Sequence, residues 1–361
     1  MPTEAEMAAA LAANRRGLRL ATGVSVHFAL AILIGWQLAT ICTVFVVLFL
    51  QAPGPMPPKA IRMLFMQAVV FLCTSWAISI SLANYPVAFL LALALAVGMS
   101  FYWSTKGAGM LSVVLALMAS LMLPTLVLTS QKLALILVIW LPINLVLAWL
   151  WTVLMFRLFP PTPMGAAAAA KPTPPHHDPT RLVLRMSLVT IPFAIYFYLV
   201  GSGALVTLLF VAILSQQLSA ATAAGPTVAK TMLRANFVGG IVALVCYELT
   251  VIAPLMLTAV LAFATAAIIL ARWLTSNRPD AAQAGTALTT TVILFGGSIA
   301  PFGQDADVEM IDRLVQIGNA LIFVLIAYVV VDAFFPLSPD PKSKRRRRLF
   351  RKSLPKAEMA Q

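Results

Sequence analysis

Two carboxylates in this sequence stand inside long apolar runs, where an acidic group has little water around it. Glu248 lies within the run Val245–Leu249, and Asp332 lies near the end of the last apolar run. An acidic group in such a place is expensive to keep ionised, so each is a candidate for carrying a proton. For Glu248, contact with water at the end of its run is an equal alternative. Asp332 can pair with Arg157, or both side chains can simply extend to the nearest polar layer.

Four basic residues recur in matching places. Arg62 and Arg234 each stand at the start of an apolar run, and a lysine precedes each of them by a few residues. The full set is Lys59, Arg62, Lys230 and Arg234. Their repeated placement would form a basic vestibule that attracts an anion such as a carboxylate, and a second interpretation has at least equal weight. The alternative is that they only anchor the ends of membrane helices.

Uncharged polar side chains inside the apolar runs are the remaining candidates for a binding path. In lipid such groups either contact a substrate or link helices by hydrogen bonds, and the sequence leaves both open. They are Gln37, Gln51, Asn144, Gln216, Gln217, Asn236 and Asn319.

No metal or cofactor site is predicted, because histidines and cysteines lack ligand spacing. His27 stands alone in the first apolar run, which favours a packed histidine over a proton relay, and His176 and His177 have no partner at metal spacing. The cysteines, which we expect to be buried packing residues, are Cys42, Cys73 and Cys246. There is no Walker motif, Gly-x-Ser-x-Gly or His-Glu-x-x-His, so enzymatic activity is not expected.

The composition sets the environment of these residues. Of 361 residues, 61% are hydrophobic and 10% are charged, with a mean hydropathy of +0.94. Ordinary soluble domains are roughly a quarter charged. A bilayer accepts so much apolar surface if every backbone polar group is satisfied within helices. Because the apolar runs are continuous rather than alternating, we predict an all-α polytopic membrane protein.

Windows of about 20 apolar residues predict twelve membrane helices. The first run, Leu20–Leu50, is too long for one span, so we expect it to bend near Gly35 to Gln37. The second and eighth spans are short for a bilayer. The predicted spans are 20–36, 38–51, 63–81, 85–101, 108–129, 133–156, 185–201, 203–218, 234–251, 253–271, 283–300 and 314–334.

The basic residues predict the orientation, since cytoplasmic loops carry an excess of Lys and Arg. With the N-terminus inside, all of the 25 basic residues except Lys132 and Arg313 fall on the cytoplasmic side. Both termini are then cytoplasmic, in a bacterial inner membrane. The net charge of +13 therefore needs no nucleic acid. We expect the basic tail to contact anionic lipid head groups.

The two halves of the chain resemble each other. Gln51 has a counterpart in Gln217, Asn144 in Asn319, and Phe159-Pro160 in Phe335-Pro336. Each half holds six predicted spans, so we expect parallel repeats related by an axis along the bilayer normal. The predicted segments are a first repeat (1–159), a Pro/Ala-rich linker (160–180), a second repeat (181–336) and a basic tail (337–361).

A family resemblance rests on three features in order, which recur in a second copy. They are a span pair that ends in Val47-Leu-Phe-Leu-Gln51, a basic loop, and the sequence Ile61-Arg-Met-Leu-Phe65. It resembles the fusaric-acid-resistance-like (FUSC) superfamily of inner-membrane exporters, which includes aromatic carboxylic acid exporters. Many such relatives have a large cytoplasmic domain after each half, where this chain has the short linker 160–180 and the tail 337–361. The chain therefore resembles a compact branch of that superfamily.

The resemblance implies a secondary, proton-driven exporter of small organic anions such as aromatic carboxylic acids, which confers resistance to toxic compounds. It also implies a HlyD-like periplasmic membrane-fusion protein as a partner, beside the lipid bilayer and a second copy of the chain. The alternative function is a non-transporting membrane scaffold for an envelope complex, in which the repeat serves packing only.

Overall fold

Helices account for the architecture of the part of the chain that the structure describes. The structure is a computed structural model and describes residues 4–161, 178–200, 211–212, 225–298 and 306–334. Within these ranges there is no strand. Eight helical segments of this described part are long and apolar enough to cross a membrane. The predicted class, an all-α membrane protein with several spans, is confirmed at that level.

Apart from the start of α1, the helices of the first half of the chain begin and end within about five residues of the predicted spans. They are α1 (Glu4–Leu33), α2 (Ala39–Gln51), α3 (Pro58–Leu82), α4 (Pro86–Thr105), α5 (Met110–Leu117), α6 (Leu123–Thr129) and α7 (Gln131–Leu158). A π-helical turn, Met118–Met122, joins α5 to α6, so the two form one continuous segment.

The described helices of the second half are α8 (Pro179–Val200), α9 (Gly225–Ile252), α10 (Met256–Leu274), α11 (Gln283–Ser298) and α12 (Ala306–Phe334). The predicted eighth span, 203–218, lies outside the described residues except for Val211 and Ala212.

Proline, glycine and serine set several of the boundaries. Pro58 and Pro86 occupy the first positions of α3 and α4, where a missing N–H costs no hydrogen bond. Gly107 takes a left-handed φ of 88° in the turn after α4. Ser130 caps α7, and its side chain accepts from the backbone N–H of Leu133 at 3.5 Å.

The first helix is longer than the sequence predicts. It starts at Glu4, so Arg15, Arg16 and Arg19 lie inside α1 rather than in front of it. The bend expected near Gly35 is a full break, because α1 ends at Leu33 and α2 begins only at Ala39. With 13 residues, α2 is about 20 Å long, less than a hydrocarbon core of about 30 Å.

Contacts between distant parts of the chain fix the helix directions. Arg16 donates to the carbonyl of Gln51 at 2.9 Å, and Arg19 donates to the carbonyl of Phe159 at 3.3 Å. The middle of α1 and the ends of α2 and α7 therefore meet at one end of the bilayer-spanning helices, called here the basic end. Because α7 runs toward that end, Lys132 at its start lies at the opposite end.

The two halves pack on each other crosswise. Helix α1 of the first half lies against α10 of the second, and α8 of the second lies against α4 of the first. Helix α2 packs on α11, and Ala212 is buried in a cluster with residues of α4 and α5. Within each half, α3 contacts α5, α6 and α7, just as α9 contacts α11 and α12.

Small residues bring α9 and α11 very close together. A Cβ added at Gly239 would stand 2.5 Å from the Ala287 carbonyl oxygen and 2.8 Å from the Cβ of Thr290. The Thr291 hydroxyl donates to the Gly239 carbonyl at 3.0 Å, and the Thr290 hydroxyl donates to Asn236 Oδ1 at 2.7 Å. Close backbones with hydroxyl bonds between them are typical of helix pairs in membranes.

This packing yields a first prediction. Gly239→Ala forces backbone against backbone and should lower the free energy of unfolding by about 1–3 kcal/mol. Gly98→Ala in α4 is the matched control, because its added Cβ meets only the Ser187 hydroxyl at 4.0 Å. Thermal unfolding in detergent measures both. Equal melting temperatures for the two variants would contradict the close approach of α9 and α11.

Candidate functional site

The break between α1 and α2 is the most unusual piece of backbone among the described residues. Gly35 and Leu38 both take left-handed conformations, with φ of 64° and 56°. Leucine rarely adopts such a φ, so the surrounding structure must hold it there. The interruption also leaves helix-end N–H and C=O groups that no intrahelical bond satisfies.

Asn144 of α7 closes this break. Its side chain is completely buried, its Oδ1 accepts from the Trp36 indole N–H at 2.6 Å, and its Nδ2 donates to the Gln37 carbonyl at 3.1 Å. Trp36 in turn packs edge-on against Trp140, with ring centroids 5.1 Å apart. One amide therefore bonds to the Trp36 indole and to one backbone carbonyl of the segment, while the backbone N–H of Trp36 donates to the Ala31 carbonyl of α1.

A histidine, a threonine and a cysteine extend this arrangement. His27 Nδ1 lies 3.0 Å from the Thr43 hydroxyl, and His27 Nε2 lies 3.4 Å from Cys42 Sγ. The Cys42 thiol also donates to the Asn144 backbone carbonyl at 3.5 Å. Residues Trp36, Asn144, Cys42, Thr43 and His27 form one connected group, called here the break cluster. His27, predicted as an isolated packed side chain, is thus part of a hydrogen-bonded network.

The break cluster borders the second half of the chain. A Cβ added at Gly296 of α11 would stand 2.9 Å from the Thr40 hydroxyl of α2. On the neighbouring face, the Phe28 ring stacks on Phe263 of α10 at 4.1 Å and lies 5.8 Å from Phe295 of α11. A change in the break therefore reaches α10 and α11 directly through side-chain contact.

The four predicted basic residues all have exposed side chains near the basic end. Arg234 forms an ion pair with Asp280 at 3.5 Å, so part of its charge is already neutralised. Arg62 and Lys59 begin α3, and Lys230 lies in the first turns of α9. Their placement fits both the vestibule and the anchoring interpretation.

The predicted uncharged polar candidates differ from one another in burial and in hydrogen bonding. Gln51 is half-buried and donates from Nε2 to the Gly285 carbonyl of α11 at 3.2 Å, which links the two halves. Gln37 is exposed and takes part only through its backbone carbonyl. Asn319 is exposed, unlike its predicted counterpart Asn144.

Of the two predicted proton carriers, the structure describes the side chain of Glu248 and not that of Asp332. Glu248 is exposed in the last turns of α9, at the end away from the basic end, which matches the alternative of contact with the interface. Arg157 is exposed, and the side chain of Asp332 lies outside the described residues.

Among the uncharged polar candidates, Gln216 and Gln217 also lie outside the described residues. Asn236 is buried and bonded to Thr290 and to the Met232 carbonyl.

Two arginines that the sequence predicts only as cytoplasmic charges are buried in the structure. Arg19 lies 3.9 Å from the Phe156 ring centroid, and Arg185 lies 5.6 Å from that of Tyr328. Both side chains are almost fully buried. Arg185 follows Arg19 by the same spacing that separates Gln217 from Gln51, so the predicted repeat pairs the two arginines. Each pair joins the first helix of a half to its last helix.

One predicted property of the cysteines is wrong. Cys42 and Cys246 are buried as expected, but Cys73 is exposed. It lies on the face of α3 that points away from the core, where an apolar thiol can contact lipid as well as it can contact protein.

Comparison with known proteins places the break cluster within a matched region. Residues 16–159 match the model of a family described as a protein of unknown function (DUF2955). The match begins at Arg16 and ends at Phe159, so it includes α7 and all residues of the break cluster. No curated protein and no solved structure matches the chain.

The geometry of the cluster gives a second prediction. Asn144→Ala leaves the Trp36 N–H and the Gln37 carbonyl unsatisfied in an apolar setting, which should cost about 1–3 kcal/mol of unfolding free energy. Asn319→Ala, at the exposed counterpart, should change stability little. Melting temperatures in detergent, together with the tryptophan emission spectrum, measure both effects.

A double-mutant cycle separates the hydrogen bond from general packing. Trp36→Phe removes the donor, so Asn144→Ala combined with Trp36→Phe should destabilise less than the sum of the two single variants. Strict additivity would show that Asn144 and Trp36 do not depend on each other.

Proposed function

We propose that this chain is a secondary exporter of small organic anions, such as aromatic carboxylic acids, in the bacterial inner membrane. The observation that carries the proposal is the break between α1 and α2, closed by a buried polar cluster and set against the second half. Irregular backbone at membrane depth is tolerated only where protein buries it or where it lines a cavity. Because Arg16 of α1 reaches the end of α2, the two helices run antiparallel and the break is the turn between them. Transporters commonly bind their substrate at the interface of the two repeats, and this turn lies beside the contact of α2 with α11.

The crosswise packing supports a transport path between two related halves. Helices α1 and α10 meet as α8 and α4 do, which is the exchange expected when a two-fold axis along the bilayer normal relates two parallel six-helix repeats. On this proposal the twelve spans include the short α2 and a span within 203–218. The pathway then runs along α1, α2, α10 and α11, beside the break cluster.

The charge distribution supports an anionic cargo. In the proposed orientation the basic end faces the cytoplasm, with Lys59, Arg62, Lys230 and Arg234 exposed there. A basic surface raises the local concentration of anions at the entrance. A HlyD-like periplasmic membrane-fusion protein is the proposed partner at the opposite end.

Export is tested by efflux measurements in cells that lack the protein. We expect slower efflux of benzoate or salicylate and poorer growth at high concentrations of these acids, with recovery on re-expression. Arg62→Ala together with Arg234→Ala should reduce uptake of the anion at the basic end by a few fold, since each exposed charge contributes modestly. Lys132→Ala, at the opposite end, is the matched control.

The test includes proton coupling and the scaffold alternative. Glu248→Gln should lower efflux driven by a pH gradient if that carboxylate carries the proton, and leave it unchanged if it only contacts water. Unchanged efflux after complete deletion would reject transport. Loss of an envelope complex in that deletion strain would then favour the scaffold.

Orientation has its own test. In a cysteine-free background, Lys106→Cys and Lys132→Cys should react with a membrane-impermeant maleimide from opposite faces of the membrane, because α5, α6 and the π-helical turn separate them. We expect Lys106→Cys to label only from the cytoplasmic face in inverted vesicles. Labelling of both positions from one face would overturn the proposed topology.

A further inference from the structure

A cavity of about 580 Å³ lies between α3, α4 and the α5–α6 segment, away from the break cluster. Its volume is in the range of small-molecule sites. Its lining follows α4 from Phe89 to Lys106, a helix length of about 25 Å. The space is therefore long and narrow rather than round. A molecule with one aromatic ring would fill only part of it.

The cavity is on the lipid side of the molecule. Helices α3 and α4 are the least buried of the eight candidate spans. A ligand can therefore enter sideways from the bilayer. One leaflet contributes about 15 Å of hydrocarbon, half of a core of about 30 Å. The cavity is long enough to hold a whole acyl chain together with its head.

Hydroxyl groups in the cavity wall are already hydrogen-bonded within the protein, so the wall suits an apolar ligand. Ser75 donates to the Ala119 carbonyl at 2.5 Å, and Ser120 donates to the Ala116 carbonyl at 2.7 Å. Thr74 and Ser100 likewise donate to carbonyls of their own helices. Since these hydroxyls are already bonded, the ligand meets mainly carbon, including the rings of Phe71 and Trp103.

The π-helical turn shapes this wall. It ends two residues before Pro124, which lacks the N–H that would continue a regular helix. The extra residue of the turn brings Ser120 to within 3.3 Å of Ser100 and offers the Ala119 carbonyl to Ser75. The three walls of the cavity are thus joined across its deep side, while its outer side stays open.

One cation stands at the end of the cavity. Lys106 is the one charged residue among its lining, and its Nζ lies 5.1 Å from the centroid of the Tyr102 ring. Lys106 follows the last residue of α4 and is exposed at the basic end. A flexible ammonium at the mouth of an apolar groove complements an anionic head whose tail lies in the groove.

We propose that this cavity is a binding site for a long-chain fatty acid taken from the surrounding bilayer, with its carboxylate at Lys106 and its chain along α4. The site is separate from the break cluster, and its occupation does not require that the chain transports anything.

Photolabelling of the full chain tests the proposal. The protein is purified and placed in phosphatidylcholine nanodiscs, and the probe is palmitic acid with a diazirine in mid-chain. We expect saturable labelling of peptides from α3, α4 and α5, displaced by excess unlabelled palmitate. Labelling that does not saturate, or that spreads evenly over all lipid-facing helices, would overturn the proposal.

Two phenylalanine variants, one inside the cavity and one outside it, give a matched comparison. Ala96→Phe places a ring in the cavity and should weaken palmitate binding at least about tenfold, because the ring takes the space of the acyl chain and forces the chain or the walls to move. Ala77→Phe on the exposed face of α3 outside the lining is the control and should bind normally. If Ala96→Phe fails to fold, Ala92→Phe fills the same space. Normal binding in a folded filled variant would reject the site.

The head group is tested at Lys106. Lys106→Gln should weaken palmitate by about threefold, as expected for an exposed ion pair. It should not change the binding of hexadecanol, whose head is neutral. Lys132→Gln is the control at the opposite end. Phosphatidylglycerol that displaces the probe as well as palmitate does would assign the cavity to bilayer phospholipid and overturn the fatty-acid proposal.

Discussion

A bilayer gives no water to a broken helix, and this constraint governs the arrangement around Leu33–Ala39. Every N–H and C=O that the break exposes must find a partner within the protein or be stranded in hydrocarbon. Backbone bonds of the turn, such as Trp36 N–H to the Ala31 carbonyl, meet part of this demand, and Asn144 adds a donor for the Gln37 carbonyl. The position of α7 beside α1 and α2 follows from that demand, and so does the burial of Cys42 and Thr43 between them.

Contact between the halves depends on the same lack of water. Lipid tails are as apolar as leucine, so apolar burial alone does not hold two membrane helices together. The interface instead uses side chains of α2 that fit closely against Gly285 and Gly296, the hydrogen bond from Gln51 to the Gly285 carbonyl, and the stack of Phe28 on Phe263. These contacts are short and directional. A movement of one half relative to the other must break some of them and form others.

Much of the architecture could be predicted from the sequence, because hydropathy fixes where helices can cross a membrane. The spans of α3, α4 and α7 agree with the predictions to within a few residues, and the bend at Gly35 was visible as an apolar run too long for one helix. The start of α1 was missed, since residues 4–19 are polar enough to be taken for a loop.

The partners of individual polar residues could not be predicted in the same way. Asn144 and Asn319 are predicted counterparts, yet one is buried and bonded and the other is exposed, because their surroundings come from helices distant in the chain. Burial of Arg19 likewise depends on Phe156. Hydropathy scores a residue by its type, whereas each of these roles depends on a neighbour more than a hundred residues away or on a backbone break.

The contacts of Arg16 and Arg19 also bear on the order of assembly during synthesis. Arg16 caps the end of α2, whereas Arg19 reaches the carbonyl of Phe159, 140 residues later in the chain. The first helix can enter the bilayer soon after it leaves the ribosome, but this contact of its buried guanidinium does not yet exist. The first half can lock into its final form only when the end of α7 emerges. Until then α1 must remain free to shift and rotate beside the growing chain.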